Sequence, residues 1–433
     1  MKAWRPSTWG DEISLEYGKA LRGYESAHGP FRVFGSNGPV GWTDKALATG
    51  PGVILGRKGA YRGVQYSEGD FFVIDTAYYV VPKTDLDMRW LYYAIQYHKL
   101  GEIDDGSPIP STTRAAVYVR ELDVPPKGVQ REMARILESI DNKIDLNRRI
   151  NQTLEAMAQA IFKSWFVDFD PVKAKIVAEA EGRDPLRAAM SAISGKGDTE
   201  LDALPPEQYE QLAATAALFP DEMEDSELGA IPKGWTVCTL PECVDINPSR
   251  VLKKGAIAPY LDMANVPTHA ARVDNVVPRA FGSGSKFING DTLLARITPC
   301  LENGKTAYVD FLADGEVGWG STEFIVLRPK NGLPLPFAYF LCRHPEFRAF
   351  AISQMAGTSG RQRVPNDCFG AYKVVKPSPL VADAFGLQTT QFMKQIKSLD
   401  EASKTLAGLR DVLLPRLLSG ELQVQHTEPE AVA

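Results

Sequence analysis

The sequence has few of the residues and motifs on which most enzyme sites depend. It contains five cysteines in 433 residues and no CxxC pair, so a structural zinc site or a disulfide framework lacks the required spacing. It also contains five histidines, none of them in an HExxH motif or a recognisable nucleophile motif. We therefore expect free and mostly buried thiols, and neither metal nor triad chemistry.

Long hydrophobic runs are also missing. No stretch of about 18 apolar residues occurs, and the N-terminal MKAWRP lacks the hydrophobic core of a signal peptide. Apolar residues make up 44% of the chain and charged residues 24%, which allows real hydrophobic cores and excludes a wholly disordered chain. The length predicts roughly three folding units. Together these features predict a soluble, globular, cytoplasmic protein without membrane association.

The net charge of -6 is concentrated in one segment. Residues 171–230 carry five Lys/Arg against 13 Asp/Glu, a balance of -8, which leaves +2 for the rest of the chain. Overall acidity therefore does not exclude nucleic-acid binding by other regions. Gly and Pro interrupt the acidic segment repeatedly, which predicts a linker with short helices.

Three motifs of nucleotide-dependent enzymes are present only in part. Residues 303–306 supply the GKT of a P-loop, but Pro299 stands where the phosphate-binding loop requires glycine. Residues 247–250 (NPSR) begin like an amino-methyltransferase motif but lack its second proline and its base-stacking aromatic. The Gly-rich residues 281–284 do not form GxGxxG after a strand. NTPase, methyltransferase and dinucleotide-binding sites are therefore disfavoured.

An internal repeat with a period near 250 residues organises the chain. Two strand-like blocks and one short apolar helix occur in the same order in both halves: residues 53–59 resemble 292–298, 77–83 resemble 324–330, and 90–95 resemble 337–341. A loop rich in Gly, Ser, Thr and Arg follows in each half. The repeat predicts two similar mixed α/β domains.

A long helix of about 35 residues is predicted at the end of each half, after a proline punctuation. Steps of four and three residues select apolar seams at an offset of 252, as expected for a coiled coil. The seam positions that we assign to helix pairing or partner binding are Leu137, Ile140, Ile144, Asn147, Asn151, Leu154, Ile396, Leu399, Ser403, Leu406 and Leu413. Asn151 and Ser403 are equivalent, and such polar seam residues can fix register. Alternatively, each stripe only packs its helix onto its own domain.

Basic and polar residues on the paired loops are the candidate DNA contacts. Arg forks can read guanine, Gln can read adenine, and Ser, Thr and Lys can hold phosphates. The candidates are Arg57, Lys58, Arg62, Ser111, Thr112, Thr113 and Arg114 in the first half, and Lys286, Arg296, Ser359, Arg361, Gln362 and Arg363 in the second. Surface loops of any soluble protein carry such residues, but their duplication at one place in the repeat favours a two-headed DNA reader.

Several long motifs, in order, resemble the DNA-specificity subunits of type I restriction-modification systems. They are LDVPP (122–126), IFKSWFVDFDP (161–171), LFPD (218–221), DSELGAIPKGW (225–235) and LLPRLLSG (413–420). The resemblance implies an α+β fold in which two target-recognition domains are joined by two long antiparallel spacer helices, a tandem repeat with a pseudo-two-fold. It places the first recognition domain at 1–126, the spacer helices at 127–166 and 380–420, the acidic linker at 167–228, the second recognition domain at 229–376, and a frayed tail at 421–433.

The resemblance also implies a function and its partners. In this family each recognition domain reads one half of a split, asymmetric site in double-stranded DNA. The chain is then not an enzyme and holds no cofactor or metal: S-adenosylmethionine, ATP and Mg²⁺ belong to two methylation subunits and two restriction (motor-nuclease) subunits. Two alternatives stay open from the residues alone: a nuclease or methyltransferase acting by itself, and a two-headed coiled-coil scaffold that binds proteins and no DNA.

Overall fold

The computed structural model describes residues 4–103, 110–358 and 360–424 of the chain. The N-terminal part contains strands and helices in the order β1 (Arg5–Thr8), α1 (Trp9–Glu12), β2 (Ile13–Tyr17), β3 (Phe31–Gly35), β4 (Gly38–Thr43), β5 (Gly52–Gly56), β6 (Val64–Ser67), β7 (Phe71–Val73), β8 (Ala77–Pro82), α2 (Met88–Tyr97), α3 (Arg114–Tyr118), β9 (Glu121–Val124) and α4 (Lys127–Lys163). A π-helical turn (Ser164–Asp168) follows, and then come α5 (Asp170–Ala180), α6 (Pro185–Ser194), α7 (Asp198–Asp202) and α8 (Pro206–Ala217).

The C-terminal part repeats this succession of strands with insertions. Its elements are β10 (Met223–Ser226), β11 (Gly229–Pro232), β12 (Thr236–Thr239), α9 (Leu240–Cys243), β13 (Val244–Ile246), β14 (Ile257–Leu261), β15 (Val277–Ala280), β16 (Ser285–Phe287), β17 (Thr292–Ala295), β18 (Thr306–Tyr308), β19 (Gly318–Gly320), β20 (Phe324–Pro329), α10 (Pro336–Arg343), α11 (Pro345–Ser353), β21 (Lys373–Lys376) and α12 (Pro379–Leu418). Short 3₁₀ turns occupy Leu100–Glu102, Met263–Asn265 and Asn366–Ala371.

The chain forms two compact units. The first combines residues up to Leu146 with those from Ala402 onward, and the second spans Asn147–Glu401. In the first unit the sheets have the strand orders β2-β8-β5-β6, β4-β3-β7 and β1-β9. In the second unit the corresponding orders are β13-β20-β17-β18, β15-β14-β19-β16 and β12-β21. Apart from the additional strand β16 of the second unit, the strand orders are the same in both units, which confirms the predicted α+β repeat.

Register identifies the equivalent residues of the two four-stranded sheets. Leu55 of β5 pairs with Tyr78 of β8, and Leu294 of β17 pairs with Ile325 of β20. The central strands of both sheets are almost entirely buried apolar residues, as expected for strands covered on both faces. Each sheet therefore holds the turn after its β5 or β17 strand at a fixed place.

Each unit packs its domain onto segments of both long helices. In the first unit the core includes Leu137 of α4 and Leu417 of α12. In the second unit it includes Phe162 of α4 and Phe385 of α12, whose rings lie 6.1 Å apart. The apolar seams are thus buried both between the helices and against the domains, so the two alternatives for these stripes are both realised.

The cysteines depart from expectation at one pair. Cys238 on β12 and Cys243 at the end of α9 form a disulfide, because the short helix between them turns the chain back on itself. Their spacing is not one of the metal or redox motifs that sequence reasoning tests, so we expected two free thiols. Cys300, Cys342 and Cys368 are free, and Cys342 is buried.

The helices of the described segments include none with the length and apolar character needed to span a membrane.

Candidate nucleic-acid interface

An arginine follows the second strand of each four-stranded sheet at the same backbone position. The backbone N–H of Arg57 donates to the carbonyl of Thr76 at 3.0 Å, at the start of the turn into β8. The N–H of Arg296 donates in the same way to the carbonyl of Glu323 at 3.0 Å, at the turn into β20. Arg57 and Arg296 are therefore structural equivalents.

A second hydrogen bond attaches the polar loop of each unit to this arginine. The N–H of Thr112 donates to the carbonyl of Arg57, and the N–H of Val364 donates to the carbonyl of Arg296, both at 2.9 Å. These bonds hold both loops in a single register against the sheet. The pairing of the two loops predicted from sequence is thus a physical equivalence, since the same donor and acceptor atoms meet in each unit.

The neighbouring residues extend the equivalence by one step on each side. Lys58 bridges to Ser111 and Ile297 bridges to Arg363, each as an isolated antiparallel bridge. Ser111 and Arg363 therefore occupy the same position in their loops. Asn366 lies three residues after Arg363, and Arg114 lies three residues after Ser111. Asn366 therefore corresponds in position to Arg114 of the first unit.

The first unit gathers cations around the exposed ring of Tyr17, which we call the Tyr17 cluster. The guanidinium of Arg114 lies 4.1 Å from the centre of this ring and that of Arg57 lies 5.0 Å from it. Glu16 pairs with Arg114 at 3.5 Å, and Lys58 is exposed beside them. Tyr17 is 48% exposed, so its edge and both arginines present an aromatic and cationic surface.

Tyr78 supports this cluster from below. Its ring lies 5.1 Å from that of Tyr17, and its hydroxyl donates to the carbonyl of Thr112 at 3.3 Å. Burial, together with the hydrogen bond to Tyr17, raises the pKa of Tyr78 to about 12. Tyr78 therefore stays neutral and links the ring under the arginines to the polar loop.

Three predicted DNA-contact residues of the first unit make side-chain hydrogen bonds to backbone groups of the polar loop and its neighbouring turns. Arg62 donates from all three guanidinium nitrogens to backbone carbonyls, those of Gly59, Gly101 and Ile103. Thr112 is 1% exposed, and its hydroxyl lies among the carbonyls of the same turn. The side chain of Thr113 accepts from the N–H of Ala116 and caps α3. These groups position the loop, and their contact with DNA stays a prediction.

The second unit has a polar pocket at the equivalent place. Its volume is about 300 Å³, and three cations line it: Arg250, Lys286 and Arg296. The lining also includes the neutral polar residues Asn247, Ser249, Ser285, Thr322 and Asn366. Two of the predicted contact residues, Lys286 and Arg296, thus share one pocket.

Fixed contacts orient the three cations of this pocket. Arg250 reaches the fully buried Asp291 at 3.3 Å, and Lys286 donates to the carbonyl of Arg250 at 3.0 Å. Arg296 donates from its terminal nitrogen to the carbonyl of Val364, the residue whose N–H binds the Arg296 carbonyl. The pocket is therefore a preorganised set of donors.

The predicted contacts of the second loop have three different environments. Arg361 is exposed, with its backbone N–H bonded to Thr358. Gln362 is half-buried and its carbonyl accepts from Thr298. Arg363 is held by Glu323, whose hydrogen bonds raise the pKa of this guanidinium. Ser359 lies outside the described residues.

The seam residues of α4 and α12 lie between these helices and against the domains. In the second unit Asn151 donates to the carbonyl of Ile396 at 3.2 Å and Asn147 to that of Leu399 at 3.5 Å, so rising numbers on α4 meet falling numbers on α12. The pair is antiparallel. Leu137, Ile140, Ile144, Asn147, Leu154 and Ile396 are buried, and Asn151, Leu399, Ser403, Leu406 and Leu413 are half-buried.

Comparison with known proteins places this architecture. Residues 32–156 match the family model described as the type I restriction modification DNA specificity domain. The chain is 28% identical over 386 residues to the type I restriction enzyme HindI specificity subunit of Haemophilus influenzae, across 82% of each protein. The chain is therefore similar to type I restriction specificity subunits over most of its length.

Two further type I specificity subunits are similar to this chain. The EcoEI specificity subunit of Escherichia coli is 30% identical over 212 residues, which are 47% of this chain and 35% of that protein. The crystal structure of the type I system S subunit from M. genitalium aligns with a TM-score of 0.57 at 16% identity, over 98% of this chain and 97% of that one. This structural likeness confirms the fold of the chain.

Sequence reasoning missed Tyr17 and Arg250 in these two sites. Tyr17 ends β2, which pairs with β8, and Arg250 follows the short strand β13, which pairs with β20 in the same way. Extending the repeat upstream from residue 53 would have aligned these two segments. No group of three or more His, Cys, Asp or Glu in the described ranges is arranged to hold a metal ion.

Proposed function

We propose that this chain is the non-catalytic, DNA-reading subunit of a type I restriction-modification complex, in which each unit reads one half of a split target. The observation that carries this proposal is the equivalence of Arg57 and Arg296. The same backbone bonds hold both arginines, and each stands in a group of basic and polar side chains beside a loop. Such groups are the ones that contact phosphates and base edges in duplex DNA.

The two sites differ in chemistry, which supports an asymmetric target. In the first unit the arginines lie on an aromatic ring, and Arg114 occupies the position that Asn366 has in the second unit. An arginine fork favours guanine, whereas an amide favours adenine. Two readers with different side chains at equivalent positions select two different half-sites.

The antiparallel helices are proposed as the spacer that sets the gap between half-sites. A tandem repeat also offers one surface twice, which suits two copies of one partner. We propose two methylation subunits and two restriction subunits as those partners. S-adenosylmethionine, ATP and Mg²⁺ are then held by the partners, which carry out methyl transfer and cleavage. The cytoplasm stays the expected location, because the proposed ligand is chromosomal DNA.

The test is a methylation map of the native host with and without this gene, read by single-molecule sequencing for N6-methyladenine. We expect a bipartite motif with a fixed gap to lose its methylation on deletion and to regain it with the wild-type gene. Complementation with the double variant Tyr17→Ala and Arg114→Ala should change one half of the motif and leave the other half and the gap unchanged.

A protein scaffold without DNA-reading function predicts a different outcome. The methylation map would then be the same with and without the gene, although the chain would still co-purify with its partner subunits. That combination would contradict the proposed function.

A further inference from the structure

We propose that the polar pocket of the second unit binds a phosphate group of the DNA backbone. This inference rests on the proposed function and adds a division of labour to it. The three cations of the pocket would hold the second unit on the duplex without selecting bases, whereas Asn366 and the exposed loop beside the pocket would read them.

The side chains that line the pocket carry mainly positive charge. Arg250, Lys286 and Arg296 line a space of about 300 Å³ in a chain whose net charge is -6. In the described part of the chain, Asp291 is the one carboxylate that pairs with any of these cations, and it also pairs with Arg328 at 2.7 Å. The lining therefore carries an excess of positive charge, which favours an anionic ligand.

Two arginines of the pocket have guanidinium donors without a hydrogen-bond partner within the described ranges. The Nε–H groups of Arg250 and Arg296 are buried, and neither has a hydrogen-bond partner among the residues that the structure describes. A buried donor without a partner costs free energy, and more so when it belongs to a charged group. Because these two Nε–H groups are enclosed, the donors left for a phosphate oxygen in the pocket are terminal guanidinium nitrogens and the Lys286 ammonium.

The contacts of the two arginines favour a phosphate over a base. A bidentate contact to guanine uses two nitrogens of one guanidinium against one base edge. In Arg250 a terminal nitrogen is held by Asp291, and in Arg296 one is held by the carbonyl of Val364. Since the Nε of each arginine is also buried, neither fork has two nitrogens left for one base edge. Contacts of this kind fix position on the duplex and not sequence.

The test places a negative charge in the pocket without removing a contact that orients the cations. Thr322 lines the pocket and its side chain is exposed, so Thr322→Glu adds a carboxylate beside the cations. Thr322→Gln has the same size without the charge. Thr236→Glu is the control for net charge, because Thr236 is exposed on β12 and does not line the pocket. Lys286→Gln removes one cation and serves as a second, independent variant.

The measurement is fluorescence anisotropy of the full chain in complex with its methylation subunits. It uses a target duplex and a scrambled duplex at about 50 to 200 mM NaCl. We expect Thr322→Glu to weaken binding to both duplexes by the same factor, roughly tenfold or more, and Lys286→Gln to lower the salt slope by about one. Thr236→Glu should stay within about twofold of wild type, and Thr322→Gln should weaken binding less than Thr322→Glu does. Melting curves check that each variant is folded.

Three results would overturn the inference. Weakening on the target duplex alone would make the pocket a base-reading site. Equal binding by Thr322→Glu and Thr322→Gln would exclude an anion in the pocket. Titration of inorganic phosphate into the DNA-free chain is the third arm: saturable binding that Thr322→Glu abolishes, with unchanged DNA affinity, would assign the pocket to a free anion. If the wild-type complex binds neither duplex, that result contradicts the proposed function as well. The other three results contradict only the role of the pocket.

Discussion

Arg363 and Glu323 form a two-pronged ion pair that closes the polar loop of the second unit against its sheet. The Nε of Arg363 lies 2.9 and 3.0 Å from the two carboxylate oxygens, and a terminal nitrogen lies 2.7 Å from one of them. Glu323 also accepts the backbone bond of Arg296 through its carbonyl. The fork of Arg363 is therefore occupied by protein, whereas its neighbour Arg361 extends from the same loop into solvent.

This pair separates two arginines that sequence reasoning treats alike. We expect Arg361→Ala to relax or abolish recognition of one half-site, at a cost of roughly 1 to 3 kcal/mol in binding if a bidentate base contact is lost. Arg363→Ala should disturb the loop and weaken binding more evenly, since its fork already has a partner. The measurement is binding to single-base variants of the second half-site. A larger loss of specificity in Arg363→Ala than in Arg361→Ala would show that DNA displaces Glu323.

The length of the helix pair should determine the gap between half-sites. Adding one heptad to each helix keeps the seam pattern and lengthens the pair by about 10.5 Å, which corresponds to about three base pairs. From sequence the sites for insertion are Asn151 and its equivalent Ser403. In the structure the side chain of Asn151 donates to the carbonyl of Ile396 on the facing helix. The two insertions should therefore be made at Asn151 and Ile396. The methylation map should then show unchanged half-sites with a wider gap.

The control for this experiment inserts the heptad into α4 alone. One lengthened helix breaks the facing pairs of the second unit, and we expect methylation to be lost. A map with the original gap after both insertions would contradict a ruler formed by the helices.

A third prediction concerns the pH dependence of stability in the first unit. His98 packs between the rings of Trp9 and Tyr97, at 5.5 and 5.0 Å. Burial, and to a smaller extent the charge of Arg120, lowers the pKa of His98 below its ordinary 6.5, while Asp123 opposes this. As the pH falls below about 6.5, the unfolded chain binds a proton that the folded chain does not bind, so stability decreases by up to about 1.4 kcal/mol per pH unit.

Thermal melts of the full chain at pH 7.5 and 5.5 test the role of His98. The loss of stability on acidification should be smaller in His98→Phe than in wild type. His28 is exposed, so His28→Gln is a matched control that should melt like wild type at both pH values. An identical pH response in wild type and His98→Phe would assign the acid sensitivity to other groups.

The parts of the fold that depend on local pattern follow from sequence. The seam of α4 from Leu137 to Leu154 repeats every seven residues, and such a period specifies a helix and its buried face without knowledge of the partner. The strand blocks at 53–59 and 292–298 align for the same reason, because both encode a buried strand followed by a polar turn. Local periodicity therefore gave the two domains and the helices.

The side-chain partners of the candidate sites depend on contacts between distant residues. Tyr17 meets Arg57 and Arg114 only because β2 lies beside β8 and the polar loop returns to the turn after β5. Glu323 and Arg363 are 40 residues apart and meet through the same kind of return. Residue type identified arginines as candidates, but sheet register decides which of their donors remain available.

The attachment of the first domain to its helices is the last property that we predict. Asp141 of α4 accepts the hydroxyl of Tyr93 at 2.7 Å and a guanidinium nitrogen of Arg410 at 2.9 Å, so one carboxylate joins α2, α4 and α12. Burial, and to a smaller extent the hydrogen bond to Asp141, raises the pKa of Tyr93, so its hydroxyl remains a donor.

Asp141→Ala leaves Tyr93 and Arg410 without this acceptor, which should destabilise the contact by about 1 to 3 kcal/mol. Asp411 also pairs with Arg410 but is largely exposed, so Asp411→Ala should change little. Hydrogen exchange of the α2 amides measures both effects, and equal protection in the two variants would show that apolar packing alone holds the domain on its helices.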